Sequence, residues 1–232
     1  MIEWYADLKN FLGGRDPIFT LLEYVGTFAA AVSGIRLASI RSFDWFGAYV
    51  IGFVTALGGG TLRDAMFTVT PFWVQGPSYL ICTFLALVSV WLFGRKFISE
   101  QITWFVFDTI GLSIFTVIGL QKSLMLGFSW WVAIMMGTIT GAAGGVMRDV
   151  LVNEVPLIFR KEIYALACAV GGVSYFAIRL TGTDDRICGV ICVVVIFVIR
   201  ALAIKYHLGV PVLSGRDHLH HHGGHHGPSR NR

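Results

Sequence analysis

The 232-residue sequence is 55% hydrophobic and only 14% charged, with a mean hydropathy of +0.70. A soluble domain of this length would carry about a quarter charged residues, so this composition excludes a water-soluble fold and places most of the chain in lipid. The net charge of +4 is spread over loops and tails and does not point to nucleic acid, and the four cysteines (Cys82, Cys168, Cys188, Cys192) all sit in apolar runs, which makes neither a disulfide framework nor a zinc site.

Residues 1–17 carry Glu3, Asp7, Lys9, Arg15 and Asp16 without the apolar core of a cleaved leader, and read as an external N-terminal tail. Seven apolar spans follow, near 18–39, 45–69, 77–94, 102–121, 129–153, 161–180 and 187–206. Their continuous runs of about 20 residues suit helices crossing a bilayer, and they lack the alternating polarity of a β-barrel. The predicted class is all-α integral membrane, with 18–206 as one transmembrane domain. The loops are short and carry breakers such as Pro71, Gly94, Gly127, Pro156 and Gly182. Trp45, Trp73, Trp91, Trp104, Trp130 and Trp131 lie near span ends, as interfacial anchors do. Counting Lys and Arg in loops and tails gives five on the side of the N-terminus and eleven on the other, with Arg36 and Arg200 among the eleven. The richer side is predicted to be cytoplasmic, so the N-terminus is outside and the C-terminus inside. The His-rich segment 207–232 reads as a disordered tail with no assigned metal role.

The chain repeats itself. At a fixed offset of 85, with no gaps, 16 of the 64 positions from 26 to 89 match, among them Trp45/Trp130, Thr55/Thr140, Gly59/Gly144, Gly60/Gly145, Arg63/Arg148, Asp64/Asp149, Pro71/Pro156 and Tyr79/Tyr164. The rare residue types in these pairs make coincidence implausible. Each repeat (18–94 and 102–180) holds three spans, and an odd number reverses direction. The second repeat is therefore inverted relative to the first, with 187–206 as an extra helix, an architecture that transport proteins use with the pathway at the repeat interface.

The two most similar stretches are Gly58-Gly59-Gly60-Thr61-Leu62-Arg63-Asp64 and Gly144-Gly145-Val146-Met147-Arg148-Asp149. Each glycine costs a helix roughly 1 kcal/mol relative to Ala. One reading is close helix packing. The other is a kink or an unwound turn whose freed carbonyls, with the hydroxyls of Thr55 and Thr140, offer hard oxygen ligands to an alkali cation. Two matched clusters, each followed by Arg-Asp, favour the break. The four motif charges need partners at this depth. Neighbours on a helix point about 100° apart, so Arg63 is not expected to bond Asp64. Glu23 and Asp108, also 85 apart, or the motif Asp of the opposite repeat, are the candidate partners, either as a charged network along a pore or as structural ion pairs. Lys122, a lone base at a span end, is expected to snorkel to the interface; with no Arg/Lys ladder in any span, voltage dependence would be shallow.

Seven spans, the three-plus-three inverted repeat, the extra last helix and the doubled glycine–Arg-Asp motif resemble the prokaryotic relatives of the trimeric intracellular cation (TRIC) channels over roughly residues 18–206. The resemblance implies a homotrimer in a bacterial or archaeal cell membrane, with a pore in each protomer lined by kinked second and fifth helices and conducting monovalent cations, chiefly potassium. It places the glycine hinge on Gly58, Gly59, Gly60, Gly144 and Gly145 and the charged motif on Arg63, Asp64, Arg148 and Asp149. The Lys-Glu-Val phosphoinositide signature of the animal channels has no counterpart here. Bacterial sequences of this kind have also carried a glycine-transporter label, and the same inverted repeat would serve an alternating-access carrier of a small amino acid. The expected surroundings are membrane lipid and monovalent cations, with no cofactor and no nucleic acid. No Ser-His-Asp set, phosphate loop or His-Glu zinc motif is present, so no enzyme is predicted.

Overall fold

Without water to satisfy it, a backbone crosses lipid as a helix that bonds within itself. The computed structural model describes residues 17–99, 101–160 and 162–209; the predicted N-terminal tail and all but the first three residues of the His-rich tail lie outside the described residues. Seven α-helices make up the described chain: α1 (Pro17–Ile40), α2 (Trp45–Met66), α3 (Ser78–Ser99), α4 (Gln101–Met125), α5 (Trp130–Leu151), α6 (Ala165–Arg179) and α7 (Asp185–Lys205). Five are long and apolar enough to cross a membrane. The other two, α3 and α6, have shorter apolar stretches, Ser78–Gly94 and Ala165–Arg179. They occupy the same place in each repeat, and each follows a short 3-10 turn, Phe72–Gln75 or Leu157–Phe159.

The repeats also share their turn chemistry. α2 ends where Thr68 enters the left-handed region (φ 54°), and α5 ends the same way at Asn153 (φ 59°). The next amides then return to the helix, Val69 N–H donating to the Asp64 carbonyl at 3.0 Å and Glu154 N–H to that of Asp149 at 2.8 Å, which caps both ends alike. The predicted boundaries shift accordingly: α2 stops at 66 rather than 69, and α5 at 151 rather than 153. Gly94 does not end its helix; α3 runs through it to Ser99, because one glycine with intact neighbours weakens a helix without breaking it.

α1 and α4 form the inner pair, packed on each other, and α2 and α5 cross beside them; α7 lies on α4 and α6. At the α2–α5 crossing, Gly59 sits against the Thr140 carbonyl and Gly144 against that of Thr55. The residue numbers run in opposite order, so the helices are antiparallel. Exchanging the repeats turns one contact into the other, so a pseudo-two-fold axis passes through the crossing. The outer faces carry exposed Phe46, Phe84, Trp91, Trp130 and Trp131, the complexion of a lipid-facing surface.

Candidate functional site

The glycines permit a close crossing in place of a break. Both α2 and α5 are helical from end to end, which corrects the expectation of an unwound turn. A Cβ on Gly59 or Gly144 would overlap the carbonyl oxygen of Thr140 or Thr55, so only glycine lets the two backbones meet. Protein covers the backbone there, and each helix keeps its own hydrogen bonds. The threonine hydroxyls turn back on their own helices as well, Thr55 donating to the Ile51 carbonyl at 2.6 Å and Thr140 to that of Met136 at 2.5 Å. Gly58 faces the Met147 sulfur, Gly60 the Phe72 ring and Gly145 the Tyr164 hydroxyl. Beside the crossing lies a cavity of about 10 Å³, lined in part by Thr55, Gly59, Asp108, Thr140 and Tyr164. One water needs about 10–15 Å³, so this cavity admits nothing larger.

The Arg-Asp pairs stand in the last turns of α2 and α5, with Arg63 1% and Arg148 0% exposed. Arg63 does bond its neighbour, contrary to expectation: its Nε and Nη2 reach Asp64 Oδ1 at 2.8 and 2.7 Å. Arg148 Nε reaches Asp149 Oδ1 at 2.8 Å. The 100° between neighbours limits short side chains, whereas a long guanidinium folds back over the helix end. The second carboxylate oxygen has the same use in both repeats. Asp64 Oδ2 accepts from Phe72 N–H and Asp149 Oδ2 from Leu157 N–H, each at 3.0 Å, tying the 3-10 turn to the helix before it.

Beyond this shared frame the ends diverge. At the α2 end, Lys122 Nζ lies 2.7 Å from Asp64 Oδ1 and is 29% exposed, so it turns inward onto the motif rather than outward to the interface. By the offset of 85, its counterpart at the α5 end is Leu37. There the lining of an open vestibule of about 470 Å³ includes Arg36, Leu37, Trp104, Asp149, Glu154 and Arg160. Of the candidate partners, Asp108 does take an arginine: its Oδ1 lies 2.6 Å from Arg148 Nη1, which also donates to Ser33 Oγ at 2.7 Å. Glu23 accepts a short hydrogen bond from the Tyr79 hydroxyl. Asp108 Oδ2 takes a second guanidinium, Arg200 Nη1, at 2.7 Å. Sequence reasoning missed Arg200 by counting it with the loop charges. The available signal was its position, with the apolar run Val193–Ile199 before it and Ala201–Ile204 after it.

An inverted three-plus-three helical bundle, with a glycine crossing between buried charge clusters and no metal-ligating group among the described residues, defines a membrane protein of the channel and transporter class. The family model described as "Glycine transporter" matches residues 20–95 and 105–179, one match per repeat. The "UPF0126 membrane protein" of Vibrio cholerae serotype O1 is 37% identical over 198 residues, covering 84% of this chain and 82% of that protein. The "UPF0126 inner membrane protein YadS" of Escherichia coli K12 is 37% identical over 199 residues, covering 83% and 95%. The crystal structure of the TRIC orthologue from Rhodobacter sphaeroides superposes with a TM-score of 0.78 at 32% identity, covering 82% of this chain and 99% of that one. The chain belongs to this family, the prokaryotic relatives of the trimeric intracellular cation channels, and like them is a multi-pass membrane protein.

Proposed function

We propose that the protein is a passive channel for monovalent cations, chiefly potassium, in a bacterial inner membrane. It works as a homotrimer with one pore per protomer between the two repeats, lined by α2 and α5, the N-terminus outside and the C-terminus in the cytoplasm. The observation that carries this reading is the crossing itself: two backbones in contact on the pseudo-two-fold axis, with a buried Arg-Asp cluster at each end. The likeness to solved TRIC cation channels, at 30% identity and a TM-score of 0.77 in one case, supports it. The crossing is a closed gate. Opening requires α2 and α5 to part at Gly59 and Gly144, which uncovers the carbonyls of Thr55 and Thr140. Each carbonyl in a helix keeps a second lone pair, and such oxygens replace part of the hydration shell of a weakly hydrated cation.

A carrier is the second reading. The family description favours it, and so does the shape, since an open vestibule beside a closed crossing is what one end state of alternating access requires. Planar-bilayer recording of the purified protein separates the two. Unitary potassium currents establish the channel. Silence together with counterflow uptake of glycine establishes the carrier and overturns the channel.

A further inference from the structure

The seventh helix stands outside the repeat, yet it delivers a charge to the interior of repeat two. Arg200 is 2% exposed. Its guanidinium lies between two rings, 5.0 Å from the centroid of Phe105 on α4 and 4.7 Å from that of Tyr164. This geometry holds a cation by its faces and leaves its edge free to bond. That edge meets Asp108 Oδ2, while Asp108 Oδ1 holds Arg148, and Arg148 in turn reaches Asp149 on its own helix and Ser33 on α1 of the other repeat. One chain of charge-assisted bonds thus runs from α7 through α4 and α5 to α1, across the repeat interface. Asp108 also lines the small cavity at the crossing, and Asp149 the open vestibule.

The two repeats hold this acid differently. In repeat one the acid Glu23 is held by the hydroxyl of Tyr79. Their counterparts are Asp108 and Tyr164, and there the ring of Tyr164 lies against Arg200 while the guanidinium takes the carboxylate. The acid of one half takes a tyrosine hydroxyl and the acid of the other a guanidinium.

We infer that Arg200 is a positioning residue for the α5 end of the pathway: it holds and neutralises Asp108, and so fixes where Arg148 stands beside the crossing. This rests on the channel reading. With Arg200 uncharged, the local charge falls by one unit and Arg148 loses the brace behind its carboxylate partner.

The test is unitary potassium conductance of the purified trimer in planar bilayers, with Arg200→Met, Arg200→Lys and the charge-balanced pair Arg200→Met/Asp108→Asn. Arg200→Met is expected to raise conductance about twofold at 0.1 M KCl and to lose most of that difference at 1 M, where the Debye length falls from about 10 Å to about 3 Å. Arg200→Lys, which keeps the charge, is expected to return towards wild type; the double variant, which restores the charge balance but leaves Arg148 without its carboxylate, is expected to lose the salt-dependent excess without recovering the wild-type conductance. A purely structural role would lower thermal stability without moving conductance or its salt dependence. Wild-type silence would remove the channel reading itself. A conducting wild type with an assembled Arg200→Met of unchanged conductance at both salt concentrations would overturn the role of Arg200 alone. If neither Arg200→Met nor the double variant assembles, Arg200 belongs to the scaffold and the inference falls.

Discussion

Each motif aspartate uses one oxygen for an arginine and the other for a backbone amide eight residues on, and both side chains are almost wholly buried. Removing Asp64 strands the buried Arg63 guanidinium and the Phe72 N–H together, and breaking a buried pair costs about 3–5 kcal/mol. Asp64→Ala is expected to lose that much and Asp149→Ala less, because Arg148 keeps Asp108, both read as thermal unfolding in detergent. Lys122→Met is expected to cost at most about 1 kcal/mol, because its ammonium remains partly in solvent. The charged motif and the acids Glu23 and Asp108 were legible in the sequence because buried charge is rare and these recur at one offset. The bonds they form were not. Whether an arginine folds back on its neighbour depends on how far it lies from a helix end, and Arg200 is recognised as interior only once α7 is seen packed on α4.

Helix ends and helix crossings obey different constraints. Thr68 and Asn153 hold the same left-handed position after α2 and α5. A β-branched residue is poorly suited to it, asparagine is tolerated, and glycine is free of the penalty. Thr68→Gly is therefore expected to stabilise the protein by about 1 kcal/mol and Asn153→Thr to destabilise it by a similar amount, measured as opposite shifts in melting temperature. At the crossing, Gly59→Ala and Gly144→Ala each drive a methyl into a carbonyl. Each is expected to cost about 1–3 kcal/mol and, since the contacts are symmetry-related, to alter potassium flux in the same direction. A variant pair in which only one changed flux would remove the shared gate. The helices themselves were legible, because a lipid-crossing run must be long and apolar. Gly94 misled as a boundary and the glycine clusters misled as breaks for one reason: an intact hydrogen-bond ladder tolerates glycine when protein or lipid closes around it.

The inverted architecture could be read from the sequence because duplication leaves matched rare residues at a constant spacing. The shut state could not, since it rests on a backbone-to-backbone approach that no residue type announces.

A protein that obeyed its repeat strictly would present the same face to ions arriving from either side, and its current–voltage curve in identical solutions would be symmetric about zero. The seventh helix removes that equality. It brings Arg200 to the acid of one half, while at the other half a lysine from α4 sits on the motif aspartate where its counterpart is a leucine. On the channel reading the protein is a diode built on a symmetric frame, and in identical KCl on both sides it is expected to rectify, with the sense of rectification reporting which way the protein has inserted.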